Sequence, residues 1–240
     1  MPASVPSVLA EVVGAFRAAG IDLGALGLAW ARVLPIVVLV PAFGLRALPV
    51  AARAVIGLAL AAVIVPGVAL GTGTHATRLL EEITRGFAIA IAAAVPLWAA
   101  TMAGGVIDAL RAAPERASGP TVEGGATSLG VPLSILASAI FLAGGGAARV
   151  VAAVARPELA ANPVVVAAHD LTSGIALAVA LGAPVLVASI VVEVGAALIA
   201  RAAAPAQVHA LLAPLRALTL LVILAVGIDR IAEALALAMR

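Results

Sequence analysis

The residues able to do acid, base or nucleophilic chemistry are few and scattered. The closest constellation is His169-Asp170-Leu171-Thr172-Ser173. Four-residue spacing would set His169 and Ser173 on one helix face, a base beside a nucleophile. A catalytic triad, however, assembles from distant positions, and nothing nearby marks an oxyanion hole. The segment reads better as a helix start with Asp170 or Thr172 as its cap. His75, His169 and His209 lack metal-ligand spacing, and no Cys supplies a thiolate. No Gly-rich phosphate loop is present. The expectation is a chain with no catalytic residue, no metal and no cofactor, and not an enzyme.

The remaining charges suit structural work. Glu81 and Glu82 lie four and three residues before Arg85, which predicts a local pair. Asp108 and Arg111 repeat the three-residue spacing, and Glu193 and Arg201 flank Val194–Ala200. If buried, each pair needs both members. In a transporter such groups would instead line a proton or ion path; the structural role is the favoured one. Arg32 stands apart. It lies deep in an apolar segment, where it needs a carboxylate, carbonyls or water.

Composition sets the elements that must position these groups. Of 240 residues, 64% are hydrophobic and 11% charged, against about a quarter charged in ordinary domains. Mean hydropathy is +1.24. A water-facing surface cannot be built from so few charges. Disorder and a disulfide scaffold are excluded as well. What remains is an all-α integral membrane protein. The net charge is +2 and the pI about 10.9. Every basic residue is Arg, and Lys and Tyr are absent, so the high pI carries no nucleic-acid signal.

Charge-free runs locate the helices, because a charge at the bilayer centre costs about 2.5–3.5 kcal/mol on insertion scales. They predict main helices at 54–70, 86–107, 129–148 and 171–192; two weaker apolar segments, 23–43 with Arg32 and 211–228 with Arg216, complete one membrane domain over 1–240. A short partly amphipathic helix is expected at 5–19, in a stretch without the features of a signal peptide. The runs are too long and continuous for a membrane β-barrel. Arg gives no orientation: Arg17, Arg78, Arg85, Arg149, Arg156, Arg230 and Arg240 fall on one side, and Arg46, Arg53, Arg111, Arg116, Arg201 and Arg216 on the other. Pro35, Pro41, Pro66, Pro96 and Pro184 lie in apolar segments and predict kinks. Gly144, Gly145 and Gly146 mark either a hinge or a close backbone approach. The loop Ala112–Thr127, with Pro114, Pro120, Gly119, Gly124 and Gly125, cannot be a stable helix.

In order along the chain, these features resemble one family: the T/R subunit of the type III protein-export gate, shared by injectisomes and the flagellar export apparatus. The likeness runs through Ala31-Arg32-Val33, Pro41-Ala42-Phe43-Gly44, Leu48-Pro49 and Arg53. It continues through Glu82 before Gly86-Phe87, Gly105-Val106-Ile107-Asp108-Ala109-Leu110-Arg111, Ser128-Leu129-Gly130 and Gly144-Gly145. It ends with Ala183-Pro184-Val185-Leu186, Glu193-Val194-Gly195, Arg201, Pro205-Ala206-Gln207 and Pro214-Leu215-Arg216. Residues from about 28 to 230 are covered. The chain departs from the family at Pro205-Ala206-Gln207-Val208-His209, where a Pro-Gln-hydrophobic-Asn stretch is usual. The Ile107–Arg111 form looks more like the injectisome branch.

The resemblance implies a multi-pass subunit of the bacterial cell inner membrane. Its expected partners are the P/R-type and Q/S-type gate subunits, the export switch protein and secreted unfolded polypeptides in transit, with no nucleic acid. The loop after the third span looks like the family's plug, which makes Pro114, Glu115, Arg116, Ser118, Gly119, Pro120 and Val122 gate residues. The quoted Arg32, Pro41, Arg53, Glu82, Gly105, Asp108, Arg111, Gly144, Gly145, Pro184, Glu193, Arg201, Gln207, Pro214 and Arg216 would serve structure and assembly. The alternative is a small proton- or ion-coupled secondary transporter, on a faint likeness between the segments 96–111 and 184–201.

Overall fold

The computed structural model describes residues 22–41, 49–65, 74–111, 116–119, 122–156, 162–203 and 209–239, besides Gly14, Ala18 and Gly20. In chain order the elements are α1 (Leu23–Leu39), α2 (Val50–Ile64), α3 (His75–Leu110), β1 (Arg116–Gly119), β2 (Val122–Thr127), α4 (Gly130–Ala143), α5 (Gly146–Ala155), α6 (Pro163–Ala202) and α7 (His209–Ala238). The architecture is that of an all-α membrane protein, with one antiparallel ribbon between α3 and α4. The expected helix at 5–19 lies outside the described residues except at Gly14 and Ala18, both helical.

Local chemistry explains the helix starts. Asp22 caps α1, its Oδ1 accepting from the backbone N–H of Gly24 at 2.8 Å. Asn162 caps α6 by accepting from Val164 N at 3.0 Å, and Pro163 occupies the first turn, where its missing donor costs nothing. Asp170 and Thr172, expected as caps, lie inside α6 instead. Thr172 donates to the carbonyl of His169 at 2.7 Å. The charge-free run from 171 marks where lipid is tolerated, not where the helix begins.

The same distinction lengthens α3. Its 36 residues run about 54 Å, and the 40 of α6 about 60 Å, well beyond a hydrocarbon core of about 30 Å. Thr74 caps α3. The charged turn through Arg78, Glu81, Glu82 and Arg85 continues the helix ahead of the apolar stretch. Among the described residues, α3 and α6 are long and apolar enough to cross a membrane. The pair α4–α5, bent by 64°, is a further candidate. That bend divides the segment expected as one helix at 129–148. Gly145 has φ 73°, left-handed backbone that an L side chain adopts only under strain.

Helix α3 is the hub. It packs most extensively on α6, then on α1 and α4. Small residues bring the backbones together, as membrane bundles require. A Cβ on Gly86 would overlap the carbonyl oxygen of Arg32 on α1, and a Cβ on Gly174 would overlap Val95. By contrast α6 is largely uncovered, with Val179, Val187, Val191 and Leu198 each at least 60% exposed. In water such a flank would aggregate; it suits a chain whose solvent is lipid or apolar protein.

Candidate functional site

Arg32 reaches the core from α1 with its side chain 2% exposed. Its Nε donates to Glu82 Oε2 at 2.5 Å. Its Nη1 donates to the carbonyl of Val154 at 2.9 Å and to that of Arg156 at 3.4 Å. Those carbonyls belong to the C-terminal end of α5, where backbone acceptors lack partners within the helix and the macrodipole is negative. One guanidinium thus pairs an acid on α3 and caps a third helix. The second Glu82 oxygen lies 3.8 Å from Arg85, which also pairs with Glu81. Gly86, one turn on, is what lets the two backbones come this close.

A second charged cluster lies near the other end of α3, about 39 Å away along the helix. Asp108 is fully buried, at 0% exposure. Its Oδ1 accepts from Arg111 Nη1 at 3.1 Å, and its Oδ2 from Leu129 N at 2.6 Å. Leu129 holds the cap position of α4, where its own side chain offers no acceptor. A carboxylate from α3 does that work. Thr127 Oγ1 accepts from Gly130 N at 3.3 Å. A Cβ on Gly104 would sit 2.6 Å from both Cα and N of Gly130.

These contacts hold both feet of the ribbon. The chain leaves α3 at Arg111 and returns at Leu129, and the same carboxylate binds both. Between them β1 and β2 pair as Arg116↔Thr127, Ala117↔Ala126 and Gly119↔Val122, with an irregularity between Ala117 and Gly119. The expectation of a non-helical 112–127 segment did not specify a ribbon. Of the expected plug residues, Arg116, Ser118, Gly119 and Val122 lie on its strands; Pro114, Glu115 and Pro120 lie outside the described residues.

Residues 23–240 match the family described as bacterial export proteins, family 1. The chain belongs to this family. It is a component of bacterial protein export, lodged in a membrane by its apolar helices. No curated protein matches it.

In this export protein the other quoted residues that are described fall on helices and their ends. Pro41 is buried just beyond α1, Arg53 is half-buried on α2, and Gly105 on α3 faces Thr127. Gly144 and Gly145 form the bend between α4 and α5, and Arg149 staples it. Its Nη1 donates to the carbonyl of Gly144 at 2.9 Å and its Nη2 to that of Met239, after α7, at 2.5 Å. Pro184 lies inside α6 and Pro214 inside α7, both exposed. Glu193 pairs with Arg216, across from α6 to α7. Arg201, expected opposite Glu193, is exposed at the end of α6; eight residues on one helix separate those two groups by about 12 Å. Gln207 lies outside the described residues. His169 and Ser173 are both exposed on α6. Sequence reading missed Arg149 and the α5 carbonyls. An Arg four residues after a Gly bend, and a helix end lacking a polar cap, are the signals that could have found them.

Proposed function

We propose that this export protein is a structural subunit of the inner-membrane gate of a type III protein secretion system, of the injectisome rather than the flagellar kind. It crosses the bilayer several times and forms part of the pore wall for unfolded polypeptides. It assembles with the P/R-type and Q/S-type subunits and the export switch protein. It performs no catalysis; energy for export enters elsewhere.

The observation that carries this reading is the ribbon at 116–127, fixed at both feet by Asp108. A small sheet held at its feet by Asp108 and Thr127 can shift at its far end without unpacking the helices, which is what a pore closure requires. Low charge and many small residues give the wall little with which to retain an extended chain. The exposed apolar flank of α6 supports assembly among membrane neighbours. The test is deletion of Pro114–Val122 in the assembled complex, with ion and small-solute flux as readout. A leaky gate is expected. Unchanged permeability in a complex that still assembles overturns the plug assignment.

A further inference from the structure

Beyond the end of α1, where α3, α4 and α6 meet, lies a cavity of about 510 Å³. Trp98, Thr101 and Met102 from α3, Ser134 from α4, and Leu171 and Ile175 from α6 form much of its wall. Both hydroxyl protons on that wall are already committed. Thr101 Oγ1 donates to the carbonyl of Leu97 at 3.1 Å, and Ser134 Oγ to that of Val131 at 2.8 Å. A buried water needs two to four polar partners, and a polypeptide backbone needs one for every N–H and C=O. Among the described lining residues, what remains besides hydrocarbon is the indole N–H of Trp98 and the acceptor lone pairs of those two hydroxyls. Nor does a space this large stay empty without cost, since its lining forgoes dispersion contacts. Apolar cavities of about 150 Å³ already take up benzene or xenon.

The mouth shows what fills it. Met102, Leu171 and Ile175 are 45%, 41% and 61% exposed, and they stand on α3 and α6, the two membrane-length helices. The cavity therefore opens sideways between α3 and α6, at the start of the charge-free run of α6 where Leu171 follows Asp170, and continues the uncovered apolar flank of α6. In a bilayer, the solvent along such an apolar flank is a high concentration of acyl chains. We infer that this cavity is a lateral binding site for one acyl chain of a bilayer phospholipid, admitted between α3 and α6.

Trp98 is a built-in reporter. The chain holds two Trp, and Trp30 packs elsewhere, beside Gly57 on α2. The full chain carrying Trp30→Phe is reconstituted in phosphatidylcholine vesicles whose acyl chains are brominated, and Trp98 fluorescence is read. A second reporter, Phe87→Trp with Trp30 and Trp98 both replaced by Phe, reads ordinary surrounding lipid. The expected result is quenching of Trp98 that is lost on filling the cavity with Thr101→Leu or narrowing its mouth with Met102→Phe, while quenching at position 87 persists in both. Met102 is exposed, so its variant folds even if the first does not, and far-UV circular dichroism checks each. Equal Trp98 quenching with and without these substitutions overturns the assignment. So does quenching that disappears when the chain is co-purified with its membrane partners, which would give the cavity to a protein neighbour.

Discussion

Replacing Glu82 by Leu leaves the Arg32 guanidinium in the core with only the carbonyls of Val154 and Arg156 for company. Breaking a buried ion pair by removing one partner costs about 3–5 kcal/mol, because the survivor is an uncompensated charge. That is the expected loss for Glu82→Leu. The double variant Arg32→Met, Glu82→Leu behaves differently. Removing both charges is neutral or stabilising by about 1–4 kcal/mol in comparable cases. Against this, the α5 carbonyls lose their donor, at about 1–3 kcal/mol. The two effects nearly cancel, so the double variant should lie within about 2 kcal/mol of the parent. The single change is thus more harmful than the pair. Equilibrium unfolding in mixed micelles, followed by far-UV circular dichroism, measures all corners of the cycle. If Glu82→Leu costs under about 1 kcal/mol, the pair has the worth of a surface salt bridge and the burial argument fails. If the two single losses simply add in the double variant, Arg32 and Glu82 are not compensating one another.

Three further outcomes are expected. Charge reversal at Asp108 (Asp108→Lys) should impair assembly with the membrane partners, read by co-purification; adding Arg111→Asp should restore it only in part, because the Leu129 N–H still lacks its acceptor. Normal assembly of each single reversal would show that the pair is not structural. Gly145→Ala should destabilise the fold by about 1–2 kcal/mol, the cost of a Cβ in left-handed backbone, because nothing lies within 4 Å to clash with it; unfolding of the purified chain checks this. Gly104→Ala should cost about 1–3 kcal/mol by overpacking, since its neighbour is the Gly130 backbone rather than a yielding side chain, and a loss well under about 1 kcal/mol would contradict the close approach.

Much of the scaffold was legible because lipid imposes one rule on every span. Charge-free runs marked the segments of α2, α3 and α6 and ran α4 and α5 together as one; α1 and α7, which carry Arg32 and Arg216, stood out more weakly, and the glycine triplet marked the break at 144–146. Helix ends were less legible. Thr74, Asp22 and Asn162 set them by local hydrogen bonding, which hydropathy does not register. The pairs Glu82–Arg85 and Asp108–Arg111 could be read from spacing, since three residues on a helix bring side chains together. The wider clusters could not. Joining Arg32 to Glu82 and the end of α5, Asp108 to the N–H of Leu129, or Glu193 to Arg216 needs the crossing of helices, which one sequence does not encode in any local pattern. The ribbon was hidden for a related reason: Gly and Pro announced a turn but not the strand pairing on either side of it.

Arg32 also imposes an order on biogenesis. Its carboxylate lies 50 residues downstream and its carbonyl acceptor 122. When α1 leaves the ribosome, neither exists. A nascent α1 thus carries a bare guanidinium that the bilayer resists, and it cannot settle at full depth until α3 has emerged. Even then the capping of α5 is still to come. Insertion of the first helix is completed late, by the arrival of the middle of the chain, and until that moment it needs water or a holding factor at its side.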